Sequence, residues 1–468
     1  MEAALSPSEG GERYRRLSLW WDGLPDPVGV RAPLPGDLDV DVAIVGGGFT
    51  GLWTAFYLAE ADPALRIAVV ERDVVGFGAS GRNGGWCSAL FAVPDERLDR
   101  EAGPGAGSLM RRAMVETVTE VGRVVATESI ECGFAHGGTV VLARTGAQWE
   151  RTRQEVAAAR SAGVGEGDLR LLSAAEAASM ARATRVLGGT YTPHCAAVDP
   201  ARLVRGLAVA VERRGVAVYE QTQAEAIRPG AVETVRGTVR APVVVRATEG
   251  YTRTLRGEER TLVPVYSLMI ATEPLPEAFW DRAGLDRRET FADHRHMVIY
   301  GQRTEDGRMA FGGRGAPYHF GSSIRPEYDR DGTVHEALRH TLVDLFPDLA
   351  DVEITHRWGG PLGIARDWFT SVGLDTQTGL GWAGGYVGDG VSTTNLAGRT
   401  LRDLILRQDT ELTALPWVGH RSKRWEPEPL RYLGINAGLH LAGRADRAEE
   451  RSGRPTWHAR ALDRVLGG

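Results

Sequence analysis

The sequence predicts a mixed fold, α/β plus α+β, in which a parallel-sheet domain is interleaved with a sheet-rich one. Three observations carry that prediction. A buried-type strand near residue 40 runs into a glycine-rich turn and an apolar helix. The same texture of strand, glycine loop and helix returns near residue 380. Between them, residues 263–355 alternate like antiparallel strands around a turn at Glu305-Asp306-Gly307. A chain of 468 residues exceeds what one core accommodates, so two domains sharing a cleft follow.

The elements follow in order. Residues 1–37 are polar and proline-rich and read as an N-terminal arm, with one aromatic cluster, Leu19-Trp20-Trp21, as a lid packed on the body. Val40, Val42, Ile44 and Val45 form a strand with no wet face, bounded by Gly46. Leu52, Ala55, Phe56 and Ala59 share one face of a helix from Thr50 to Ala59. Asp62-Pro63 stops that helix, and Ile67 to Val70 is a second strand ending at Glu71, which completes a βαβ unit. Further helices are expected over 110–129, 148–162 and 203–213, and strands over 139–143, 216–220 and 243–245. The hairpin strands are 297–302 and 308–312; a strand at 380–383 then leads to a helix from Ser392 to about Arg407. Residues 409–468 are arginine-rich and weakly patterned and read as a tail wrapping the body. Segments 38–95, 190–262 and 356–408 thus form one discontinuous domain, and 96–189 with 263–355 the other.

Gly46-Gly47-Gly48-Phe49-Thr50-Gly51 fits the pattern G-x-G-x-x-G. With 59 glycines in the chain, the bare pattern arises by chance about once, and Gly379, Gly381 and Gly384 match it again in the wrong setting. The first match gains meaning from its context. It joins a buried strand to a helix, and Glu71 ends the next strand roughly twenty residues on. Gly46 makes the tight turn, Gly48 admits a pyrophosphate to the backbone, and Gly51 lets helix and strand pack. The helix N-terminus offers free N–H groups to phosphate, and Glu71 can accept both ribose hydroxyls. This is a Rossmann-type dinucleotide site.

Two features select FAD over a nicotinamide. Gly76-Phe77-Gly78-Ala79-Ser80-Gly81-Arg82-Asn83-Gly84-Gly85 follows the acidic residue where a nicotinamide unit would run into an ordinary helix. That loop supplies unhindered backbone N–H groups, including that of Ala79, to the second half of a long cofactor. Gly384-Gly385-Tyr386-Val387-Gly388-Asp389-Gly390 then opens a helix, beginning near Val391, whose positive end suits reduced flavin.

On these residues the chain resembles the D-amino-acid oxidase/DadA superfamily of FAD oxidoreductases, and within it the γ-glutamylputrescine oxidase-like amine oxidases. Asp199-Pro200 with Leu203, the run Val245 to Tyr251, Asp306-Gly307-Arg308 with Gly312-Gly313, and Trp358-Gly359-Gly360 extend the likeness from residue 40 to about 410. The resemblance implies FAD contacts at Gly46, Gly48, Phe49, Thr50, Gly51, Glu71, Arg72, Ala79, Ser80, Arg82, Asn83, Gly84 and Gly85. It further implies Ala224 at the adenine, Ala247 and Thr248 on the phosphate side, and Gly388, Asp389, Gly390 and Val391 over the flavin. Some relatives attach FAD through a late cysteine or a histidine after the glycine loop. Here no cysteine follows Cys195 and no histidine lies between Glu71 and Leu90, so noncovalent FAD is expected. Relatives that activate oxygen with a lysine find no counterpart in a chain whose one lysine is Lys423. The acceptor stays open between oxygen and another carrier.

The expected reaction is oxidation of a small-molecule amine or amino acid by hydride transfer to flavin N5, giving an imine that hydrolyses. Tyr300, Trp358, His296 and Arg366 are the substrate-side residues, with Arg314 and His294 also near; core packing is the alternative for Tyr300 and Trp358, a surface role for His296 and Arg366. The same flavin geometry admits a 2-hydroxy-acid dehydrogenase or a non-catalytic flavoprotein. A net charge of -6 gives no basic footprint for nucleic acid. Cys87, Cys132 and Cys195 have neither metal-ligand nor disulfide-framework spacing, so no metal is expected. Met1 to Gly10 lacks the apolar core of a signal peptide and no apolar run reaches a membrane span, so a cytoplasmic enzyme with no membrane partner is expected.

Overall fold

The computed structural model describes residues 7–456; the first residues of the expected arm and signal-peptide reading, and the last twelve of the expected tail, lie outside them. A six-stranded sheet carries, in order, Ser371–Asp375, Leu380–Gly384, Val243–Arg246, Val42–Val45, Ile67–Val70 and Ala217–Tyr219. Its neighbours are parallel except the first pair. Val42–Val45 and Ile67–Val70 are buried at every position, as strands covered on both faces must be. The helix Phe49–Ala61 is apolar nearly all round because Gly390–Ile405 and Pro200–Arg213 both pack against it. Pro200 at the first turn and the Asp199 carboxylate, which accepts from the N–H groups of Ala201 and Arg202, start the latter helix.

The second domain is an eight-stranded sheet in the order Ile354–Ile364, Val263–Thr272, Met309–Gly313, Ile299–Arg303, Thr290–Asp293, Thr139–Ala143, Gly188–Thr192 and Arg170–Ser173. Two expected boundaries, at 190 and 356, fall inside strands of this sheet. Val263–Thr272 pairs along its length with Ile354–Ile364, so the chain crosses back to the parallel sheet only after residue 364. One core lies against the parallel sheet, around Ile44, Trp53, Phe56, Leu207 and Leu396; another lies behind the large sheet, around Leu268, Phe291, Phe311 and Leu342.

The arm packs where the domains meet. Trp20 and Trp21 are buried with Met269 and Trp358, and the Trp20 indole N–H donates to the Asn83 carbonyl at 2.8 Å. Several elements differ from the sequence reading. A small sheet of Leu38–Asp39, Gly237–Arg240, Ala231–Thr234 and Ala224–Arg228 was not foreseen, and Gly332–Leu345 is a helix inside the segment read as strands. The tail contains a helix, Leu430–Ser452, docked by polar contacts. No helix among the described residues is long and apolar enough to cross a membrane.

Candidate active site

A cleft runs between the two sheets in two stretches, a narrow slot over the parallel sheet and a chamber of about 1030 Å³ toward the large one. Ala79, Asn83, Leu362, Gly388 and Val391 line both, so the two stretches are continuous.

The slot begins at the turn after Val42–Val45. Gly46 adopts φ +114°, and a Cβ there would stand 2.4 Å from the Ala247 carbonyl, so the two crossing strand ends touch through backbone alone. Gly48 caps the helix Phe49–Ala61 without a side-chain bond, and the Ser80 hydroxyl accepts from the Phe49 N–H at 2.9 Å. The Glu71 carboxylate accepts from the N–H groups of Gly47, at 2.8 Å, and Asp73, at 2.9 Å. Burial pushes its pKa up to about 7 against those two bonds. Across the slot, the helix Gly390–Ile405 also starts without a side-chain cap. Two helix N-termini facing one cleft suit an elongated anionic cofactor.

Of the sequence-selected residues, Gly46, Gly48, Phe49, Thr50, Glu71, Arg72, Ala79, Ser80, Asn83, Ala224, Ala247, Thr248, Gly388, Gly390 and Val391 line the slot. Arg82, Gly84, Tyr300 and Asp389 line the chamber instead. The Arg82 guanidinium is committed to Asp329 at 2.7 Å and the Tyr251 hydroxyl at 2.9 Å. Asn83 folds its own loop, donating to the carbonyls of Ala79 and Ser80 and accepting from the Gly85 N–H. Gly51 and Gly85 pack beneath their turns without lining either stretch.

Three substrate-side candidates are placed elsewhere. Trp358 is 1% exposed, with its indole N–H on the Arg82 carbonyl at 2.9 Å and its ring edge-on to Trp20; it supports the loop from behind. His296 sits between Arg151 and Glu449, with its backbone N–H on Asp446, and holds the C-terminal helix. His296, Asp446 and Glu449 could group around a metal, but Arg151 already donates to Glu449 at 2.6 Å. Arg366 is a surface arginine paired with Glu426.

Tyr300 does face the chamber, its hydroxyl 2.8 Å from that of Ser267 and its ring edge-on to Trp86. Burial raises its pKa, so the phenol stays neutral. Arg314 enters beside it and donates to the Val387 carbonyl at 2.6 Å; burial lowers its pKa, while Asp389 and Tyr300 oppose that. Asp389 makes no side-chain cap, and burial lifts its pKa to about 6 while Arg314 pulls it down. Ser267 and Trp86 were not singled out from the sequence, and Glu249 entered only within the run Val245 to Tyr251, because each reaches the cleft from a segment whose direction only the tertiary fold sets. Lys423 is exposed and lines neither stretch.

A family model described as FAD dependent oxidoreductase, DAO, matches residues 41–404. A probable oxidoreductase, OrdL, of Rhizobium meliloti is 31% identical over 396 residues, 82% of this chain and 86% of that protein. A gamma-glutamylputrescine oxidoreductase of Escherichia coli is 29% identical over 406 residues, 82% of this chain and 89% of that protein. Among solved structures, glycine oxidase from Geobacillus kaustophilus superposes with a TM-score of 0.67 at 23% identity, over 82% of this chain and 99% of that one.

Proposed function

Because the chain belongs to the DAO family of FAD-dependent oxidoreductases, we propose that it oxidises an amine or amino acid held in the chamber at the end of the FAD slot. The observation that carries this reading is that the chamber is lined together by the Asp389 carboxylate, which makes no side-chain cap, the guanidinium of Arg314 and the phenol of Tyr300. The names of two relatives, a gamma-glutamylputrescine oxidoreductase and a glycine oxidase, support the substrate class.

Bound FAD supplies the hydride acceptor. Glu71, Ala224 and Thr248 would hold its adenosine half, the turn at Gly48 its phosphates, and Gly388, Gly390 and Val391 its ring end. Asp389, ionised above about pH 6, attracts a substrate ammonium. Arg314 offers a donor for a carboxylate or other anionic group on the same molecule. Trp86, Ile299, Leu362 and Val391 give this part of the chamber apolar walls, which strengthen both attractions. Only the neutral amine yields hydride readily, so Asp389 concentrates a form that must still lose a proton.

The rate of flavin bleaching by a primary amine should therefore rise with pH in anaerobic rapid mixing, and Asp389→Asn should weaken amine binding at least tenfold at pH 8. A variant that binds amines as wild type does would remove Asp389 from recognition. A wild type unreduced by any amine or amino acid would remove the reading itself.

A further inference from the structure

We infer that Glu249 is a positioning residue for the loop Gly384–Asp389, and that through this loop it sets both FAD affinity and the orientation of Arg314. The inference rests on family membership and cofactor, not on the identity of the substrate.

Glu249 follows the strand Val243–Arg246 at the start of a short 3-10 turn, Glu249–Thr254. Its backbone stands at φ +40°, a conformation that costs a non-glycine residue free energy and persists only where the surroundings enforce it. The side chain lines the slot, and its two carboxylate oxygens accept from the N–H groups of Gly385, at 3.1 Å, and Tyr386, at 3.2 Å. Space for that carboxylate is made from a third segment: a Cβ on Gly363 would lie 2.5 Å from Oε2. Arg246, on the same strand end, supplies the neighbouring positive charge; its Nη1 lies 3.6 Å from the Glu258 carboxylate. Three separate chain segments thus meet at one carboxylate, which the reaction as described does not use.

What hangs from the loop explains why its shape matters. The Tyr386 hydroxyl reaches Thr50 Oγ1 at 3.0 Å, in the first turn of the helix that begins the cofactor site. Val387, itself at φ +57°, turns its carbonyl to accept from Arg314. Gly388 and Asp389 follow on the chamber wall. Glu249 therefore fixes the near end of a span whose far end presents the chamber's charged groups. A glutamine there keeps one acceptor but turns an NH2 toward the second N–H, so one of the two bonds must be lost.

The test is the affinity of apoprotein for FAD, read by quenching of FAD fluorescence, in wild type, Glu249→Gln, Glu249→Asp, Tyr386→Phe and the double variant Glu249→Gln/Tyr386→Phe. Glu249→Gln should raise the FAD dissociation constant at least tenfold, while Glu249→Asp, which keeps the carboxylate, should recover part of that loss. Because both side chains act through one loop, the double variant should be little weaker than the poorer single variant. Hydrogen exchange at Gly385 and Tyr386 should quicken in Glu249→Gln with the rest of the chain unchanged. An FAD dissociation constant within twofold of wild type in Glu249→Gln, or strictly additive effects in the double variant, would overturn the inference. Should Glu249→Gln not fold, Glu249→Asp and Tyr386→Phe decide it alone: wild-type FAD affinity in both overturns it.

Discussion

At the scale of single residues, position in sequence near a motif and direction in space are different things. Tyr300 and Trp358 occur in comparable aromatic settings, yet one faces the chamber and the other is sealed behind Arg82. Tyr300→Phe removes the hydroxyl shared with Ser267 and should change amine affinity or the rate of flavin reduction at least threefold in rapid mixing. Trp358→Phe should leave both unchanged and instead lower folding stability by about 1–3 kcal/mol, since the Arg82 carbonyl loses its buried donor. Wild-type reduction kinetics in Tyr300→Phe would remove it from the site. Glu71 makes a further prediction. Its folded pKa, near 7, lies above the ordinary carboxylate value of 4.5, so its contribution to stability is complete in acid and is lost as pH rises through about 7. Glu249 has the same sense. Thermal unfolding of apoprotein should therefore show a fall in Tm between about pH 5 and pH 8 that flattens in Glu71→Gln; an equally steep fall in that variant would reject the assignment. The βαβ turn was legible down to such individual residues because its signals are local: a strand, a turn and an acidic strand end within one short stretch.

Elements were legible in proportion to how much apolar surface they bury. The helix Phe49–Ala61 and the strands beside it announce themselves by continuous burial. Leu430–Ser452 does not, because its buried positions are Arg431, Ala442, Ala445 and Glu449, while Leu430 and Leu433 are exposed. No apolar stripe marks a helix held by ionic and backbone contacts. Its attachment is specific nonetheless. The Asp446 carboxylate accepts from the N–H groups of His296 and Met297 at 2.7 Å, immediately before the strand that carries Tyr300. Asp446→Ala should cost about 1–3 kcal/mol in denaturant unfolding, the usual consequence of stranding two backbone donors, with FAD affinity unchanged. Unaltered unfolding would show that the helix is not anchored there.

For the whole molecule, the interleaving of two sheets could be read from the chain, but the chamber could not. Its walls come from the glycine loop, the helices Ala106–Thr127 and Gly146–Ser161, the strands Thr139–Ala143 and Ile299–Arg303, Arg314 just past the second hairpin strand, and the loop before Gly390, segments whose meeting depends on strand order. Among the described residues, no cysteine or histidine lines the slot. Acid precipitation of the holoprotein is accordingly expected to leave yellow flavin in the supernatant, and a yellow pellet would show a covalent bond formed from elsewhere in the cleft. What reduces that flavin decides the class of substrate. Anaerobic mixing of the FAD-loaded protein with separate panels of amines, amino acids, 2-hydroxy acids and NADPH, followed at the flavin absorbance band, should bleach the band with a member of the first two panels and with neither of the others. Bleaching by a 2-hydroxy acid or by NADPH alone, with every amine and amino acid inert, would contradict the proposed amine oxidation.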